Sequence, residues 1–347
     1  MGLFLCLDAY ALNPACKVSQ YGCQEWSAQS GLLHDTISVI YQTSDGYLWI
    51  GTPSGLVRFD GISFTVFEKA GTASLGNDQI DALCEDAQGT LWIGTENGLF
   101  CYKAGVFSAK AAHLSGSQRI RSIVKDGAGG FYLLTDSNIL HYDGAVFKEV
   151  VLKSRFTTHA VQALCETTNG DLWIGGGDSL TVLSHGKDIE LGPADGISAG
   201  EDIRCIAEDP SGGIWIGTTE GLLFCKDRQV VRHYTIADGL PSDSIVTALI
   251  DSDKNLWLGT PNGLVRYSGG KFETWSSSKG ETTGVVQALF EDQEHDLWTG
   301  WNNGLTKMRD LRFVTLGRKE GLSSNAICSL LEARDGSRWV GTWEGGA

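Results

Sequence analysis

A chain of 347 residues with 42% apolar content is long enough for two ordinary domains and can fill a core. Its net charge of −15 and pI near 4.8 argue against nucleic acid and anionic membrane surfaces as partners. Forty-five glycines beside six prolines are about twice the usual glycine share of roughly 7%, and a Gly in each strand and hairpin explains them without disorder.

The first stretch, Gly2 to Ala15, is apolar and ends in small residues like the tail of a secretory signal. It lacks a basic region, and Asp8 interrupts the apolar run. Residues 1–17 are therefore read as the remnant of a leader, and the protein as exported. No run reaches the roughly 18 apolar residues of a membrane span, so an anchor would lie beyond Ala347. Next comes Ser19 to Trp26, which precedes the first repeat and reads as an orphan outer strand.

The repeated phrase then begins. Asp45-Gly46-Tyr47-Leu48-Trp49-Ile50-Gly51-Thr52 is followed by Gly55-Leu56-Val57-Arg58-Phe59-Asp60-Gly61. Its aromatic returns at Trp92, Tyr132, Trp173, Trp215, Trp257, Trp298 and Trp339, at spacings of 43, 40, 41, 42, 42, 41 and 41. Within the second repeat, strands are predicted at Ile80 to Glu85, Thr90 to Thr95, Gly98 to Tyr102 and around Phe107. A period near 40 built of four short strands predicts an all-β fold, a β-propeller with one four-stranded blade per repeat. Each central Trp is read as a wedge between neighbouring sheets, burying roughly 150–250 Å². The Gly two residues later admits a neighbouring backbone.

Residues 19–27 are expected to close the ring on the last blade, because an open propeller leaves a bare sheet edge. That makes seven blades over residues 18–310, completed at Gly304 to Arg309. Residues 311–347 then begin a further blade or second propeller. An eight-bladed ring is the competing count. The third repeat departs from the phrase at Tyr132 and Leu134, and the fourth at Gly176 to Leu180.

Nine cysteines show neither a C-x-x-C pair nor metal-ligand spacing. Cys84, Cys165, Cys205 and Cys328 fall on first strands and read as packed thiols, while Cys16 and Cys23 could pair in an oxidising compartment. The seven histidines form no H-E-x-x-H or clustered set, so no catalytic residue, metal or cofactor is assigned.

A ligand site is expected where loops converge on the channel mouth. One polar residue follows the apolar opener of each first strand: Ser38, Asp81, Arg121, Gln162, Arg204, Thr247 (after a shift of one) and Gln287. These either form a recognition ring or the solvated wall of a water-filled channel. His34, His159, Asp78 and Asp202 sit in loops leading into first strands and could reach the same mouth. Trp301 and Trp343 are read as loop residues that either offer an exposed platform or pack against the next blade.

With these residues laid out, the repeats resemble the two-component regulator propeller family. The shared wording is D-G-x-L-W-I-G-T, then G-L-x-R-[FY]-D-G, then a Phe, and the first repeat carries it almost letter for letter through Asp45–Gly61 and Phe64. The resemblance implies a non-catalytic, ligand-sensing input domain on the extracytoplasmic side of a membrane-anchored sensor kinase or diguanylate cyclase. Its implied partners are a small-molecule or oligosaccharide ligand, C-terminal signalling domains of the same polypeptide and a second copy in a homodimer, with no nucleic acid. Two alternatives come from other classes: a propeller enzyme of the streptogramin-lyase type, whose blades are similar, and a passive protein-interaction scaffold.

Overall fold

The structure is a computed structural model that describes residues 12–14, 16–69, 75–110, 118–152, 161–177, 179–198, 200–275, 284–310, 322–332 and 338–343. Seven four-stranded antiparallel sheets follow one another along the chain. Their innermost strands are Val39–Gln42, Ile80–Glu85, Ile120–Lys125, Ala163–Glu166, Ile203–Glu208, Thr247–Ile250 and Val286–Glu291. Each packs against the innermost strand of the next blade, and the seventh packs against the first, so the ring is closed.

Closure is made by the strand Gly22–Trp26, which pairs antiparallel with Leu305–Arg309 as the outermost strand of blade seven. The first strand in sequence therefore completes the last blade, and no bare edge remains at the seam. Just before it, Leu12 is buried and its carbonyl accepts a hydrogen bond from Asn255 Nδ2 at 2.9 Å. Beyond the ring, Ile327–Glu332 and Arg338–Thr342 form a separate two-stranded hairpin.

The repeated phrase is explained by what its residues touch. A Cβ built on Gly51 would lie 2.8 Å from Ile80 of the next blade; on Gly94 it would meet Ile120 at 2.7 Å. Gly175, Gly217 and Gly300 likewise sit under Ile203, Ile245 and Ile37. The central glycine is thus the seat for the leading aliphatic residue of the following blade, and any side chain there would push the blades apart. The indole N–H of most central tryptophans is held by the residue six positions earlier. Thr43, Asp86, Asp209, Asp251 and Asp292 accept from Trp49, Trp92, Trp215, Trp257 and Trp298 at 2.7–3.0 Å. In blade three, where Tyr132 replaces the indole, His141 stacks on the phenol ring and its Nε2 bonds Asp126 at 2.6 Å.

Carboxylates also tie blade to blade on the face opposite the mouth. Glu85 accepts from Ser44 N and Oγ, Glu208 from Thr168 N and Oγ1, and Glu291 from Ser252 N. Of the thiols on first strands, Cys84 is buried, Cys165 and Cys205 are half-buried, and Cys328 is exposed on the C-terminal hairpin. Cys16 and Cys23 are free thiols.

Candidate ligand-binding mouth

The mouth is built by a recurring irregularity. In blades two, three, five and seven the pairing of the innermost strand with its neighbour slips by one residue, at Asp81, Arg121, Arg204 and Gln287. A β-bulge leaves its extra residue out of the ladder and re-aims its side chain. In blades one, four and six the equivalent residues are Ser38, Gln162 and Val246, whose N–H groups donate to Gly51, Gly175 and Gly259 at 2.8–2.9 Å. Blade six therefore presents Val246, not Thr247: Thr247 lies opposite Gly259 in regular register, as Val39 lies opposite Gly51. The ring of seven is polar in six places and apolar in one.

Loop residues engage these side chains in pairs. Asp81 takes a two-pronged contact from Arg119, with Nε at 2.8 Å and Nη2 at 3.0 Å, and that carboxylate holds the guanidinium above its already high pKa. Arg121 Nε meets Asp136 at 2.7 Å. Asp202 accepts Gln162 Nε2 on both oxygens at 3.0 Å, pairs with Arg204 Nε at 3.1 Å and accepts the Gly177 N–H at 3.0 Å. The Arg119–Asp81 and Gln162–Asp202 contacts bridge neighbouring blades. Arg121 and Arg204 are about 40% exposed, so their ion pairs add little stability and stay open to a ligand.

The remaining described candidates have their own partners or surroundings. His34 Nδ1 accepts the Thr36 N–H at 2.9 Å and so staples its own loop. Asp78 accepts from Lys69 N at 2.5 Å. Trp301 is fully buried: it ends the strand Leu297–Trp301, donates to Thr299 Oγ1 at 2.9 Å and packs on Trp275. It is not an exposed platform, because blade seven places Trp where five of the other blades place the strand-ending Thr, and that position faces the core. Trp343 is exposed beside the C-terminal hairpin. His159 lies outside the described residues. Arg119 and Asp136 were missed by the sequence reading. Their signal is positional, since each flanks a strand of the third blade next to Arg121.

Among the described residues no three His, Cys, Asp or Glu side chains gather as a metal site, and no helix is long and apolar enough to cross a membrane.

Fold and mouth together define a closed seven-bladed β-propeller with a charged, hydroxyl- and amide-lined opening. Four of its blades carry the two component regulator propeller repeat, matched at residues 31–54, 74–97, 197–220 and 239–262. No curated protein sequence matches the chain. Among solved structures it is similar to the extracellular domain of a putative hybrid two component system from B. thetaiotaomicron, with 21% identity and TM-score 0.72 over 83% of this chain and 41% of that one. The extracellular domain of a putative one component system from the same organism gives 19% identity and TM-score 0.69, over 93% of this chain and 44% of that one. The chain thus spans about two-fifths of the length of these domains. Virginiamycin B lyase from Staphylococcus aureus, solved with quinupristin, matches at 14% identity and TM-score 0.65 over 84% of this chain and all of that one.

Proposed function

We propose that this chain is the extracytoplasmic, ligand-sensing input domain of a membrane-anchored signal-transduction protein of the sensor-kinase type, and that it is not itself catalytic. The observation that carries this reading is the match of four blades to the two component regulator propeller repeat. The mouth residues Asp81, Arg121, Gln162, Arg204 and Gln287 supply both donors and acceptors for a small-molecule or oligosaccharide ligand. A ligand can signal only by binding one arrangement of the protein better than another. With six of the seven blades seated on the next by a Gly–aliphatic contact, the ring is stiff, and the signal passes as rigid-body movement against the domains or copy that follow.

Calorimetry against a panel of oligosaccharides and small metabolites tests this reading, comparing the wild-type chain with the Arg121→Ala/Arg204→Ala double variant. Saturable binding that the double variant weakens tenfold or more is the expected result. Silence across the panel favours a protein-interaction scaffold instead. The likeness to virginiamycin B lyase gives the enzyme reading its one support, and turnover of a streptogramin that stops on adding chelator would establish it.

A further inference from the structure

The junction of blades four and five is built differently from the others. A cleft of about 370 Å³ opens there, between Asn169, Asp171, Trp173, Glu208, Cys225 and Arg228. Small-molecule sites span roughly 300–1,000 Å³. Its origin is a local departure from the repeat. Blades one, two, three and six each carry a Phe or Tyr on the third strand opposite a Phe on the fourth, and in blade three Tyr142 and Phe147 pack on Trp92 of the preceding blade. Blade five has Cys225 and Val230 at those positions, and the volume of two rings is left open.

The central indole also lacks the acceptor that its counterparts have. Blade four has Thr167 six positions before Trp173, and that hydroxyl is engaged with the Asp171 carbonyl and with Asn169 Oδ1. The ring of Trp173 is 5% exposed and forms part of the cleft wall, and its N–H, unlike that of the other five central tryptophans of the seven-bladed ring, has no acceptor among the described residues. An N–H that opens on the cleft without a protein acceptor is available to a ligand that brings one.

A third departure supplies the polar arm. Asp227 and Arg228 turn the outer hairpin with φ of 50° and 63°. Gly105, Gly186 and Gly270 occupy the position of Arg228 in other blades, also with positive φ. A long side chain held in that left-handed conformation is strained, and such strain marks functional positions. The arm reaches Asp171 at 3.1 Å. Burial works against the Asp171 carboxylate, but hydrogen bonds from Ser184 and Arg228 hold it below the ordinary carboxylate range, so it is an acceptor at neutral pH.

We infer that this cleft is a binding site for a neutral, polyhydroxylated ligand such as a short saccharide, separate from the mouth. Three carboxylates, Asp171, Glu208 and Asp227, face one guanidinium, which disfavours an anion. A simple cation would leave the Trp173 N–H without an acceptor, and an apolar ligand would strand every polar group in the wall. A hydroxyl both donates and accepts, and so answers the indole and the carboxylates together.

The test titrates the full chain with maltose, cellobiose, lactose and sucrose, by calorimetry and by NMR of the indole N–H resonances, with Trp173→Phe identifying the relevant peak. At least one disaccharide should saturate and move that peak. Cys225→Tyr with Val230→Phe restores the missing rings and should weaken binding at least tenfold. Trp173→Phe should weaken it about fivefold. Arg228→Gly restores the residue type of the neighbouring hairpins, and with its relaxed turn it should fold at least as well while losing affinity. Saturation by none of the four sugars, or binding unchanged in the filled and Arg228→Gly variants, overturns the inference. Binding lost in Arg121→Ala but kept in the filled variant overturns it too, while leaving the mouth reading intact.

Discussion

The junction of blades two and three and that of blades four and five occupy equivalent places in one ring, yet one is solid and the other hollow. In the first, Trp92 gives its N–H to Asp86 at 2.8 Å and meets Phe131, Tyr142 and Phe147 at centroid distances of 5.2–5.9 Å. In the second, Trp173 has neither a carboxylate acceptor nor a ring from the next blade. Both keep the Gly–Ile seat, Gly94 under Ile120 and Gly175 under Ile203. The seat and the closing strand therefore set the spacing of the blades, and the aromatic filling is a local option. A closed ring can leave one junction underfilled because its other junctions and the seam hold the two blades in place.

The largest effect should come from removing what the two junctions share. Truncation before Ser27 deletes the strand Gly22–Trp26 and bares the edge of blade seven. Cooperative thermal unfolding should be lost, and a variant that still melts in one sharp transition would show that the seam is dispensable.

Next in size, Trp92→Ala should cost about 3–5 kcal/mol in urea denaturation, as for other large aromatic truncations in a packed core. Trp173→Ala should cost at least about 1 kcal/mol less, because its surroundings already include the cleft. Equal costs would contradict the picture of one solid and one hollow junction. A smaller pair of changes works on the indole N–H alone. Asp86→Ala should destabilise by about 1–3 kcal/mol, by orphaning a buried donor. Thr167→Asp gives Trp173 the acceptor that Trp92 has, and should stabilise by about 0.5–1.5 kcal/mol while competing with any ligand in the cleft.

The smallest effect is a pH dependence that the two junctions have in common. Burial pushes the Cys84 thiol up to about 12 and the Cys225 thiol up to about 11, from an ordinary value of 9.0. The folded state holds these protons more tightly than the unfolded state. Their contribution to stability is complete below about pH 9 and is lost as pH rises through 11 to 12. The midpoint of urea unfolding should fall over that alkaline range, and Cys84→Ala should flatten the slope.

Much of the architecture was legible because it is written locally and repeatedly. The strand predicted at Ile80 to Glu85 is the strand observed. The orphan strand before the first repeat closes the ring on Gly304 to Arg309, through pairing with Leu305–Arg309. The mouth was legible only in part. Asp81, Arg121, Arg204 and Gln287 do share one position, but the bulge that defines it also assigns Val246 in place of Thr247. For Trp301 packing against a neighbouring blade holds and the exposed platform does not, because a strand-ending residue and a loop residue one step apart look alike in a sequence. The partners Arg119 for Asp81 and Asp202 for Gln162 lie 38 and 40 residues away and meet only because successive blades stand side by side.

By itself the sequence determined the blade and narrowed its count to seven or eight, because hydrophobic alternation, hairpin glycines and the orphan strand act over short distances and recur with a fixed period. Only the tertiary structure decided which side chains share the mouth and that one wedge between blades stands open. Those depend on volume and register between segments far apart in the chain. A Cys and a Val in place of a Tyr and a Phe read as ordinary core residues until the neighbouring blade is set against them and the missing rings become space.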